Sequence, residues 1–264
     1  MELGIAGKTA IIGGSSQGMG LAIAEGLAKE GCNVLLCARS EQALANAKQK
    51  ITALTDETKV ATLSADLSLP DSAKEIVHAA TSRWGSVDIL VTNTGGPTPG
   101  QPSLFSDADW DAAYQKVFYN VIRLCREVLP HMRANRWGRI INLLALSARQ
   151  IEDNLSLSST TRAAVVAFSK NLTEEVAADG ITVNNVLPGS IMTDRLLEIT
   201  KMQAQHHGYS EENAMANRVS KIPTGRLGRP EEMADLVTFL ASERAGFING
   251  LSIPLDGGQL RSVL

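Results

Sequence analysis

The chain has 264 residues, 44% hydrophobic and 20% charged, with a formal net charge of −3. That length and apolar content suit one α/β domain, and the slight acidic balance argues against a nucleic-acid or anionic-membrane partner, whose binding needs clustered positive charge. The three cysteines, Cys32, Cys37 and Cys125, form no CxxC pair, so they read as core residues of a reducing, cytoplasmic compartment rather than a disulfide framework.

The opening stretch MELGIAGKTAIIGG has neither a basic start nor a long apolar run. It reads as a first strand, not a signal peptide. TAIIGG precedes the helix GMGLAIAEGLAKEG, and NVLLCA precedes EQALANAKQKITAL. VATLSAD precedes PDSAKEIVHAATSRWG, and VDILVTN precedes a long helix from about Asp107 to His131. Within that region HMRANRWGR gathers Arg133, Arg136 and Arg139, read as a solvated helix C-terminus favoured by its dipole. GRIINLLAL leads into a helix carrying SLSSTTRAAVVAFSK, GITVNNVLPG is a sixth strand, and GLSIPLDGG follows the helix PEEMADLVTFLAS as a seventh. Apolar β-branched runs alternating with helices predict a doubly wound, seven-stranded parallel sheet covered on both faces. No repeat or linker divides it, so residues 1–264 are expected to form a single domain, without a membrane span.

Two segments interrupt the alternation. The Gly- and Pro-rich run NTGGPTPGQPSLF, from Asn93 to Phe105, is expected to be a stiff wall of a cleft. The polar-amphipathic stretch from Thr193 to Ile222 follows the sixth strand, where ligands gather at strand carboxyl ends, and is expected to be a helical lid over a small-molecule substrate.

GGSSQGMG follows the first strand and opens a helix. Gly14, Gly18 and Gly20 let the backbone turn sharply and approach a pyrophosphate, whose charge the free N–H groups and helix dipole would hold. Ser15, Ser16, Gln17 and Met19 complete the candidate loop. The second strand ends in LLCARS, with Arg39 and Ser40 where an acid would hold the ribose of NAD(H). An arginine there suits a 2′-phosphate, so NADP(H) is expected rather than NAD(H).

These motifs, together with SADLS, VTNTGG, ITVNNVLPGSIMTD, GRLGRPEEMADLVTFLAS and LDGG, resemble the short-chain dehydrogenase/reductase family from Gly7 to about Gly258, above all its 3-oxoacyl-carrier-protein reductases. The resemblance implies a Rossmann fold of strand order 3-2-1-4-5-6-7, a nicotinamide cofactor and a homo-oligomer, dimeric or tetrameric. It implies that Asp66 and Leu67 meet the adenine, that Asn93 and Gly95 line the cofactor, and that Pro188, Gly189, Ile191 and Thr193 lie near the nicotinamide. The family's site uses Asn, Ser, Tyr and Lys. Asn120 falls at the first; the serine position becomes Ala145, with Ser147 two residues on; the tyrosine becomes Ser158 and the lysine Arg162. A serine is a far weaker acid than a phenol, and an arginine holds its proton. The expectation is therefore an NADP(H)-dependent carbonyl reductase with an altered proton path; the alternative is a catalytically weak or inactive NADP(H)-binding partner protein. His206, His207, Glu152 and Asp153 are the candidate replacement donors.

Overall fold

The computed structural model describes residues 2–262, apart from the side chains of Gln203, His206 and His207. The sheet is built from β1 (Thr9–Gly13), β2 (Asn33–Ala38), β3 (Val60–Ser64), β4 (Ile89–Thr92), β5 (Gly138–Leu143), β6 (Ile181–Pro188) and β7 (Ser252–Leu255). Its order is β3-β2-β1-β4-β5-β6-β7, as the sequence implied, with every pairing parallel. Successive side chains of a strand point to opposite faces, and the two faces carry separate cores. Ile12 and Leu36 pack under α1 (Gly18–Lys29), α2 (Glu41–Thr52) and α9 (Pro230–Leu240), whereas Ile11 and Leu35 pack under α3 (Ser72–Trp84), α5 (Asn120–Asn135) and α6 (Ser156–Val176). Because β1 pairs with both β2 and β4, the connections diverge there and leave a crevice at the strands' carboxyl ends.

The long helix predicted from Asp107 is not continuous. α4 (Asp107–Ala113) opens on a capping box between Ser106 and Asp109, gives way to a π-helical turn at Tyr114–Tyr119, and continues as α5 to Asn135. The expected lid region holds α7 (Asp194–His207) and α8 (Glu211–Val219), capped by Thr193 and Ser210.

The three arginines of HMRANRWGR do not form one solvated helix end. Arg133 pairs with Glu175 and Asp179, and Arg136 closes α5 in a left-handed conformation at φ 49°. Arg139 lies buried on β5, where its guanidinium donates to the carbonyls of Gly138, Gly180 and Ser242 and stacks over Trp137. The three carbonyls that accept from the guanidinium, and the Trp137 ring beside it, explain why a cation is stable there.

A buried polar network crosses the ends of four strands. Thr92 donates to Asn142, which donates to Ser169 and Asn185; Ser169 also donates to Asn185, and Asn185 donates to Ser252. It ties β4, β5, β6 and β7 to α6, directly behind the site described next.

Candidate active site

β1 ends in a loop that only glycine can build. Gly14 and Gly18 take φ of 55° and 58°. A Cβ on Gly20 would collide with the Gly14 carbonyl, and one on Gly14 would sit 2.8 Å from Asn93 Nδ2. Asn93 Nδ2 donates to Gly14 O at 3.3 Å, so the loop rests on the end of β4. Ser15 is fully buried; its hydroxyl donates to Ile12 O and accepts from Cys37 N, stapling β1 to β2 beneath the loop.

Over this loop lies a cavity of about 750 Å³. Ser16, Arg39, Asp66, Leu67 and Asn93 line it, with Gly14, Gln17, Ser40 and Gly95. Ser40 also caps α2 through Ala43 N. Ser68 donates to Asp66 through its amide and its hydroxyl, at 3.0 and 2.7 Å, holding that carboxyl below its ordinary range. The volume, the close backbone approach and the free helix N-terminus fit a dinucleotide.

Other expected cofactor residues lie around the cavity rather than in its lining. Met19 packs into the core beneath, and the Thr193 methyl lies 3.4 Å from the Cβ position of Gly18. Pro188 ends β6, Gly189 is pressed against Asp256, and Ile191 is buried and bridged to Gly228.

At the other end of the cleft, Ser158 and Arg162 stand one turn apart on α6. Arg162 Nε donates to Ser158 Oγ at 3.1 Å, and Ser158 Oγ lies 3.2 Å from Ser147 Oγ in the turn after β5. All three are buried. An arginine has no acceptor atom, so the direction of its bond is fixed. Between the two hydroxyls either can donate. The three groups form a line Arg162, Ser158, Ser147, and when Ser158 donates to Ser147 the Ser147 hydrogen is available to another acceptor. No carboxylate pairs with Arg162 among the described residues, and burial pushes its pKa down to about 10, which leaves it charged at neutral pH.

Asn120 joins Arg162 on the wall of a small cavity of about 10 Å³, room for roughly one water. Its Nδ2 donates to Lys116 O at 3.4 Å, and its Oδ1 is buried without a partner. Of the replacement donors, Asp153 is exposed, and Glu152 is half-buried with its carboxyl raised by burial against the pull of Arg218 on α8. The side chains of His206 and His207 lie outside the described residues. Lys116 was not singled out in the sequence, where it is a lone cation in YQKVFYN; it lines the large cavity and donates to Gly96 O at 2.9 Å.

The comparisons agree with this fold. Residues 14–259 match a family described as enoyl-(acyl carrier protein) reductase. The chain is 34% identical over 256 residues to the 3-oxoacyl-[acyl-carrier-protein] reductase FabG of Vibrio cholerae, covering 97% of this chain and 98% of that one. It is 32% identical to the NADPH-dependent reductase BacG of Bacillus subtilis, covering 97% and 99%. The L-sorbose reductase of Gluconobacter frateurii, solved with NADPH and L-sorbose, superposes with a TM-score of 0.93 at 33% identity, covering 100% of both chains. By sheet order, glycine loop and these full-length matches, the chain belongs to the short-chain dehydrogenase/reductase family of oxidoreductases.

Proposed function

We propose that the protein is an NADP(H)-dependent reductase of a 3-oxoacyl or related carbonyl compound, in which a hydroxyl chain anchored on Arg162 replaces the phenol of the family. The observation that carries this is the line Arg162 Nε, Ser158 Oγ, Ser147 Oγ, with links of 3.1 and 3.2 Å. Gly14, Ser16, Gln17 and Gly18 would hold the pyrophosphate, Arg39 and Ser40 the adenosine 2′-phosphate, and Asp66 and Leu67 the adenine. NADPH is the cofactor named for BacG and for the sorbose reductase structure, which supports Arg39 as a phosphate residue. The bound cofactor supplies the hydride.

The protein's own part is to receive the charge that develops on the carbonyl oxygen. With Ser158 donating to Ser147, the Ser147 hydrogen is donated there, and Arg162 polarises that hydroxyl through Ser158. A charge-assisted bond of this kind contributes about 1.5–3 kcal/mol. Arg162 keeps its proton, so a proton passed from Ser147 to the alkoxide is restored from water. α7 and α8 act as the lid over residues 193–222, and the protein works as a cytoplasmic homo-oligomer.

One feature favours a second reading, an NADP(H)-binding protein without turnover: residue 158 is a serine, and a positioned acid is worth about 10²–10⁴ in rate. Following NADPH absorbance with a panel of oxo esters, quinones and ketones separates the two. Consumption with at least one substrate is expected; tight NADPH binding with no consumption across the panel selects the second reading.

A further inference from the structure

We infer that Lys116 is an anion-binding residue of the cofactor site, taking a phosphate of the dinucleotide's adenosine half. The inference rests on the cofactor reading above but not on turnover. Lys116 is half-buried on the wall of the 750 Å³ cavity, beside the Asp66 and Leu67 end. Its only protein partner among the described residues is a carbonyl, Gly96 O. It forms no ion pair there, and the nearby carboxylate, Asp66, is engaged through Oδ1 by Ser68.

The surroundings of Lys116 are cationic. Burial, first of all, holds its ammonium below the ordinary range, and Arg39 from the end of β2, Arg195 from the first turn of α7 and Arg162 from α6 act in the same direction, with Asp66 opposing them. Arg195 is paired with Glu198, but Lys116, Arg39 and Arg162 have no ion-pair partner among the described residues and face Asp66 alone, an excess of positive charge that suits an anion. The local backbone is a second, independent sign. Lys116 sits within the π-helical turn Tyr114–Tyr119, a form rare in proteins and concentrated at functional sites. The turn delivers Lys116 to the cleft while Val117, the next residue, is buried on the wall of the small cavity. An ammonium is a compact point charge with three donors, so it can keep Gly96 O and still reach a phosphate oxygen.

The test is calorimetry of the full chain with adenosine 2′,5′-bisphosphate, 2′-AMP, 5′-AMP, adenosine and nicotinamide mononucleotide. Lys116→Met and Lys116→Gln are each expected to weaken the bisphosphate at least about tenfold. They should leave adenosine and nicotinamide mononucleotide unchanged, and Lys116→Arg should restore most of the loss. Whichever monophosphate shares the loss identifies the phosphate. Unchanged bisphosphate binding in both variants overturns the assignment, as does an equal loss on adenosine, which would make Lys116 a purine contact. If the wild-type chain binds neither the bisphosphate nor NADPH, the cofactor reading itself fails; if it binds both and the variants do too, only the role of Lys116 fails.

Discussion

Ser158 shows how a substitution changes chemistry without disturbing structure. A hydroxyl four residues before an arginine keeps the i, i+4 contact of the helix, so α6 accommodates it, while the reach and acidity of a phenol are gone. The buried guanidinium now depends on that hydroxyl. Ser158→Ala leaves Arg162 Nε without its acceptor, and the expected cost is about 1–3 kcal/mol of stability in urea unfolding. Ser147→Ala leaves the Arg162–Ser158 bond in place but takes away the hydroxyl partner of the buried Ser158, so a stability loss no larger than that of Ser158→Ala is expected while NADPH turnover falls by about 10-fold or more. If Ser147→Ala reduces carbonyl substrates at the wild-type rate, the hydroxyl chain is not the path. The two serines could be nominated from the sequence, because motif anchors on either side locate them. Their 3.2 Å contact could not, since residues 147 and 158 meet only through the fold of the intervening loop. Ser15 is the opposite case: its place in the glycine loop suggested a ligand contact, but its hydroxyl is turned inward and joins β1 to β2.

At the scale of elements, the alternation of apolar runs with helical patterns carried the parallel sheet and its strand count, because parallel strands buried on both faces leave a plain signature, and the family resemblance supplied the order. The long helix before β5 was legible as a helix but not as an interrupted one. Hydrophobic periodicity reports an average face, and a single π turn at Tyr114–Tyr119 barely alters it, yet that turn decides where Lys116 and Asn120 lie. The asparagines of GRIIN and VNNV have a similar history. They look like polar residues out of place in core strands, and in the structure Asn142 and Asn185 are the centre of the buried network. Replacing Asn142 by Leu would keep the volume and leave the Thr92 hydroxyl without its acceptor, while Ser169 and Asn185 each lose one bond but keep the one between them. With an unsatisfied buried group costing about 1–3 kcal/mol, a loss of that order is expected in denaturant unfolding. A variant as stable as the wild type would mean that the strand ends relax and admit water.

At the scale of the whole molecule, the carboxylates set how the protein meets acid. The Glu232 carboxyl is held down to about 2 from an ordinary 4.5, first by the Arg226 guanidinium and then by the backbone of Arg229. Asp56, Asp66 and Asp109 are held below 3.8 by bonds from Thr58, Ser68 and Ser106 respectively. A carboxyl whose folded pKa is depressed contributes stability that is present above its unfolded pKa and is lost as pH falls toward its folded one. Glu152 runs the other way: burial raises it, so the folded state gains relative stability as it takes up its proton. The lowered groups outnumber it, and the net expectation is a Tm that holds from neutral pH to about 5 and falls between about 4.5 and 2. Glu232 has the largest of these shifts and lies at the start of α9, the helix that packs on α1 behind the glycine loop, where Thr238 and Ala234 face Gly26. Its protonation frees the Arg226 fork and the Arg229 amide together, so the acid limb should also loosen the nucleotide cradle. Glu232→Gln should lower Tm at pH 7 and flatten the fall below 4.5, with NADPH affinity declining alongside Tm in the wild type and less so in the variant. A wild-type and a Glu232→Gln curve of equal steepness would place the acid sensitivity elsewhere, with Asp66→Asn at the adenine end as the next variant to measure.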